Sequence, residues 1–181
     1  MRMNIGIDLD GVLRDFSLGL HRQYKRIYPD HRRFNVENWD LKIAYPDCDD
    51  IFKFAFRTCV DEVNLDAPMY QLADVFVARL KLRDHETTLI THGYRVIEWL
   101  KKNDMHDMFD NIIILNPTAT LKKSDIPVDV MLDDNINNLK NFDKHNRTTA
   151  VCMDRPWNEE YNGLRVYSLD HFLQLIDSMK G

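Results

Sequence analysis

"IGIDLDGVLRDF", residues 5–16, sets an apolar run against two aspartates one residue apart, Asp8 and Asp10, followed by a glycine. A buried strand that ends this way carries two like charges. They repel each other, and each resists a low dielectric without a counter-charge. A solvated turn would accommodate them, since Asp-Gly is ordinary turn chemistry. So would a positive group between them, either a metal ion or a phosphoryl group with its cation.

Short apolar, β-branched runs recur at 3–9, 87–91, 111–116, 128–132, 148–153 and 164–168, and read as strands covered on both faces. Between them, residues 71–84, 94–103 and 135–145 show helical spacing, and 169–180 closes the chain as a helix with Ser168 at its N-cap. This alternation predicts an α/β fold, a Rossmann-like, mainly parallel sheet with flanking helices. Residues 15–70 break the rhythm. Phe16, Leu20, Tyr24 and Ile27 share one helical face, and 49–63 forms a second helical pattern with no strand between. The linker between them carries Trp39, Tyr45 and Pro46. An insertion after the first strand of such a sheet sits above the carboxyl ends of the strands, where these folds bind ligands. It therefore reads as a small helical cap (15–70) on a core made of 1–14 and 71–181. Phe52 and Phe56 fall at helical spacing and read as the cap's own core. Trp39, in the irregular linker, has no such periodic role and is a candidate for substrate contact.

At 181 residues, one domain with an inserted subdomain is the expected size. A net charge of −5 disfavours a polymeric nucleic acid or an acidic membrane as partner. The basic stretch 21–33 is an exception that reads as the solvated face of an amphipathic helix. Cys48, Cys59 and Cys152 form no C-x-x-C, so they suggest neither a disulfide framework nor a zinc site and suit a reducing compartment. "MRMNIGIDLD" meets a charge too early for a signal peptide, and "IIIL" at 112–115 is far too short to cross a bilayer. A cytoplasmic protein is expected.

The strand ends, taken in order, place Asp8 and Asp10 first, then Thr91, then Lys122 and Lys123 in a loop, then Asp133 and Asp134. Alone, each has a bland use as a turn, cap or surface residue. Together they converge on one crevice of a parallel sheet. Phosphoryl transfer to a carboxylate sets an anion against an anion, so cations must offset the repulsion. Mg²⁺ takes hard oxygen ligands and often only one or two carboxylates. Asp8 and the Asp133/Asp134 pair can supply those, with the Asp10 carbonyl as a further ligand. A lysine adds a second positive charge, and the Thr91 hydroxyl a hydrogen bond to phosphate. The Asp10 side chain is then left for acid–base work.

D-x-D-G, a Ser/Thr, a Lys and a D-D pair in this order resemble the haloacid dehalogenase superfamily over nearly the whole chain. More narrowly, "DLDGVLRDF", a helical cap of this size and a lysine ten residues before "LDD" resemble the 5′(3′)-deoxyribonucleotidases. That spacing selects Lys123 over Lys122. The resemblance implies Asp8 as a nucleophile forming an aspartyl-phosphate, Asp10 as general acid and then base, and a (deoxy)nucleoside monophosphate as substrate; the linker position of Trp39 then makes it the candidate for stacking on the base. Two departures fall beside the substrate. Arg14 replaces a small residue, where it would contact phosphate or close over the site, and "THG" brings His92 in place of a "TSP"-like run. The rival readings are a phosphatase for another small phosphomonoester or a nucleic-acid 3′ end, and a catalytically idle binding module.

Overall fold

The computed structural model describes residues 2–31, 40–116, 118, 120–145 and 147–179. The first strand, β1 (Asn4–Ile7), leads into a helical excursion. This contains α1 (Phe16–Ile27), α2 (Leu41–Ala44) and α3 (Ile51–Lys53), the last running on into widened π-type turns at Phe54–Thr58 and Asp61–Leu65. The chain then alternates: α4 (Ala73–Leu82), β2 (Glu86–Thr91), α5 (Val96–Lys102), β3 (Asn111–Ile114), β4 (Val130–Asp133), α6 (Ile136–His145), β5 (Thr149–Met153), β6 (Arg165–Val166) and α7 (Leu169–Ser178). Ser168 caps α7 as expected, its side chain accepting from the His171 amide.

All six strands are parallel, in the order β3-β2-β1-β4-β5-β6. The chain builds outward from β1 through β2 to β3, then crosses back to start the other half at β4. Strands β1 and β4 therefore flank the point where the winding reverses, and a crevice opens at their carboxyl ends. Period-two alternation divides the strands' side chains between two cores. Ile5, Ile7, Val130 and Leu132 pack with Phe76 of α4 and Phe172 of α7, while Met131 and Cys152 pack with Leu139 and Phe142 of α6.

Several expected elements change at their ends. The strand expected over 3–9 stops at Ile7 because the Asp8–Gly11 turn begins there, although the Asp8 amide still reaches the Leu132 carbonyl at 2.9 Å. The one expected over 164–168 keeps only two residues, and β3 is not covered on both faces. It lies at the sheet's edge with only β2 beside it, and Asn111 and Ile114 are exposed.

The excursion has its own apolar cluster, which includes Leu20, Tyr24, Tyr45, Ile51, Phe54 and Val63. Asp15 starts α1 by accepting from the Leu18 amide at 2.9 Å. Leu20 and Tyr24 are buried while Arg22, Lys25 and Arg26 face solvent, so this part of the basic stretch is the polar side of an amphipathic helix. Ile27, expected on the buried face, is half-exposed in the last turn. The two crossings into the excursion lie side by side. The Asp15 amide donates to the Pro68 carbonyl and the Tyr70 amide to the Leu13 carbonyl, both at 2.8 Å. Among the described residues, no helix is long and apolar enough to cross a membrane.

Candidate active site

Asp8 follows β1 directly, and Asp133 closes the neighbouring β4. Parallel pairing of Ile7 with Leu132 brings the two carboxylates together. Lys123 lies between them, its Nζ 2.7 Å from Asp8 Oδ2 and 2.8 Å from Asp133 Oδ2, with all three side chains buried. The other Asp8 oxygen accepts from the Leu9 amide at 2.7 Å. Asp133 also accepts from the Asn135 amide and from the Asn138 side chain. Asp134 differs. Its Oδ2 takes one hydrogen bond from Trp157, while its Oδ1 is buried without a partner.

Carboxylate oxygens of Asp8, Asp133 and Asp134 all lie within 4.8 Å of one another. Burial pushes the Asp8 carboxyl up to about 7, with the Asp133 and Asp10 charges adding to it and Lys123 opposing. Asp134 is raised by burial and by the charges of Asp8 and Asp133. On Lys123, burial favours the neutral amine, but the charges of Asp133 and Asp8 outweigh it and hold the ammonium form. Three buried carboxylates around one lysine retain an excess of negative charge. Together with the orphaned Asp134 oxygen, this suits a divalent cation with hard oxygen ligands.

Asp10 stands at the rim, and its side chain is not free. Arg14 grips both of its oxygens, Nε to Oδ1 at 2.7 Å and Nη2 to Oδ2 at 2.9 Å. Arg14 was expected to touch phosphate or close over the site. Instead it is fully buried beneath the cleft, held also by the Asn64 and Tyr94 carbonyls. Thr91, at the end of β2, accepts from the Gly93 amide at 3.0 Å. His92 lines the cleft, where burial and Lys123 depress its basicity and Asp133 opposes them.

Above these groups a cleft of about 260 Å³ runs under the excursion. Asp8, Asp10, Thr91, Lys123 and Asp134 border its polar end, and Phe16, Leu41, Phe52 and Phe56 its apolar end. The expectation that Phe52 and Phe56 form the excursion's core holds for Phe56, which packs half-buried against the excursion's cluster, and is corrected for Phe52. Phe52 is 45% exposed, and Phe56 lies between Phe16 and Tyr94, with ring centroids 5.5 and 4.9 Å away. The widened turn at Phe54–Thr58 follows Phe52 and contains Phe56, and ideal helical spacing does not anticipate it. Trp39 lies outside the described residues.

The sequence pattern of the family described as 5′ nucleotidase, deoxy (pyrimidine), cytosolic type C protein matches residues 2–180. The chain belongs to that family. As a member of this nucleotidase family it is a phosphoric monoester hydrolase. No curated protein matches it in sequence. Its fold is similar to that of L-2-haloacid dehalogenase from Xanthobacter autotrophicus, with a TM-score of 0.70 at 12% identity over 99% of this chain and 100% of the other. It is also similar to a haloacid dehalogenase-like family hydrolase from Streptococcus pneumoniae, at a TM-score of 0.67 and 15% identity over 97% and 98%. A HAD phosphatase from Thermococcus onnurineus gives 0.60 at 15% identity, over 97% and 98%.

Three residues near the site's acidic groups were missed in the sequence, all in "RPWN" after β5. Arg155 Nε donates to the Gly11 carbonyl at 2.7 Å and the Asn158 side-chain Nδ2 to the Asp134 carbonyl at 2.8 Å. Trp157 reaches the Asp134 side chain. The three brace the D-x-D-G turn against the D-D pair. Gly11 has φ +78 and faces Asp134 so closely that a Cβ would collide with its carboxylate. A Pro-Trp turn carries no periodicity, so only the fold reveals this set.

Proposed function

We propose that this nucleotidase-family enzyme is a cytosolic, Mg²⁺-dependent phosphomonoesterase that works through an aspartyl-phosphate, as a 5′(3′)-deoxyribonucleotidase acting on nucleoside monophosphates. The observation that carries the reading is Lys123 bridging Asp8 and Asp133 beside the partnerless Asp134 Oδ1. Asp8 and Asp134 are the side-chain ligands for the cation, joined by the Asp10 carbonyl, while Asp133 is the counter-charge that orients Lys123. When bound, Mg²⁺ supplies positive charge against the phosphoryl oxygens.

In the first step an Asp8 oxygen forms a bond to phosphorus as the bond to the ester oxygen breaks. Asp10 delivers the proton that the leaving alkoxide needs. In the second, Asp10 takes a proton from water, whose oxygen attacks phosphorus. The acyl phosphate bond breaks, inorganic phosphate leaves and the Asp8 carboxylate returns. Lys123 and the Thr91 hydroxyl offset charge on the phosphoryl oxygens. The aromatic side of the cleft supports a nucleoside over a sugar phosphate, because a flat base stacks on the exposed ring of Phe52.

The test is phosphate release with Mg²⁺ from deoxy- and ribonucleoside monophosphates and from sugar phosphates, with chelator and Asp8→Asn controls. Nucleotide turnover that both controls abolish is expected. Undiminished turnover in excess chelator would remove the metal from the reading, and activity in Asp8→Asn would remove the covalent step.

A further inference from the structure

We propose that Arg14 is a positioning residue for Asp10, fixing the plane of the acid–base carboxylate and tying it to the helical excursion; this rests on the phosphatase reading above. Asp10 sits on a turn, and a carboxylate there swivels about its last bond when only one oxygen is held. The Arg14 fork engages both, at 2.7 and 2.9 Å. Such a two-point grip removes the swivel, which a single ammonium cannot do. It occupies one lone pair on each oxygen, and the outward lone pairs still take and return a proton.

The fork itself is fixed. Nη1 donates to the Asn64 carbonyl at 3.2 Å, in the widened turn of the excursion, and to the Tyr94 carbonyl at 3.0 Å, in the loop after β2. The guanidinium lies 5.7 Å from the ring centre of Trp99, itself fully buried and bonded through Nε1 to the Ala67 carbonyl at 2.8 Å. Arg14's own amide donates to Leu9, and its carbonyl accepts from Gly11. Gly93 completes the fit. A Cβ there would stand 2.9 Å from both Arg14 Nη2 and Asp10 Oδ2. The two departures from the family pattern, Arg14 and the glycine of "THG", therefore meet at one ion pair.

The test separates this role from general support of the fold. A dinitrophenolate leaves without a proton, whereas a nucleoside alkoxide needs one from Asp10. With enzyme in excess over substrate, single-turnover release of the leaving group reads the first step alone. Arg14→Lys should slow nucleoside release from a deoxynucleoside monophosphate by about 10²-fold, while dinitrophenolate release from dinitrophenyl phosphate stays within about threefold. In an Asp10→Asn background the same change should add less than about threefold to the nucleoside step. Gly93→Ala presses on the pair from the cleft side without opening a cavity, and should show the same split even if Arg14→Lys fails to fold. Equal loss on both esters, or full additivity with Asp10→Asn, would overturn the positioning role. A wild-type enzyme that releases neither leaving group would overturn the phosphatase reading first, and the role of Arg14 with it.

Discussion

Trp157 Nε1 donates a 2.8 Å hydrogen bond to Asp134 Oδ2, from a turn after β5 to a carboxylate at the end of β4. It fixes one oxygen and leaves the other buried and unpartnered, the atom proposed above as a cation ligand. Trp157→Phe keeps most of the ring and deletes the donor. The Mg²⁺ concentration for half-maximal activity should then rise about 10- to 100-fold, the usual cost of losing a hydrogen bond behind a metal ligand. Unchanged Mg²⁺ dependence would show that the indole only packs.

Lys123→Met should cost both activity and stability. It leaves Asp8 and Asp133 buried without their shared cation, a defect of about 3–5 kcal/mol in comparable settings. Denaturant titration in chelator checks this. Added Mg²⁺ should recover part of the loss, because it binds the folded carboxylate cluster and not the unfolded chain.

Phe52→Ala addresses the substrate, since Phe52 is the exposed ring of the cleft. Stacking of a base on one aromatic ring contributes about 1–3 kcal/mol. The value of kcat/KM should therefore fall several-fold to about 100-fold for nucleoside monophosphates and stay nearly level for a small phosphate ester. An equal fall for both would mean that Phe52 only holds the cleft wall beside Phe56.

Asp110 gives a pH signature away from the site. The Thr87 amide, at 2.8 Å, is the chief group holding its carboxyl below the usual 3.8, with the Thr87 hydroxyl and Lys81 assisting and burial opposing. A depressed folded value means that the unfolded chain binds the proton more readily. Its contribution is thus complete above pH 3.8 and lost as pH falls through the folded value. Asp110→Ala should cost about 1 kcal/mol at pH 7, with the gap to wild type narrowing in strong acid. Paired urea titrations at the two pH values measure it.

Much of the fold was legible because a buried parallel strand announces itself by continuous apolar, β-branched residues, as in "VDVML" and "TTAVCM". The order of Asp8, Thr91, Lys123 and Asp133 was legible because strand ends converge in such sheets. Their direct contacts then followed from register, Ile7 beside Leu132. Arg14 was misplaced because a single charge beside a motif does not say which way it turns. It turns inward because three chain segments offer it acceptors: Asp10, Asn64 and Tyr94. Phe52 was misplaced because helical spacing paired it with Phe56, while the widened turn at Phe54–Thr58 begins between them and leaves only Phe56 against the cluster.

Asp15 and Pro68, more than fifty positions apart in sequence, join amide to carbonyl at 2.8 Å, and Arg14 pairs with Met69 between them. The excursion is therefore spliced into the sheet through a single gateway. A segment entered and left at one point can be lengthened, trimmed or exchanged without moving a strand, since loop closure changes only slowly with length. Contacts to the leaving group, proposed above for the aromatic side of the cleft, can then evolve as an interchangeable part, while Asp8, Lys123 and Asp133 keep their places on the sheet. The limit on such exchange is Asn64, whose carbonyl any replacement segment must still present to Arg14.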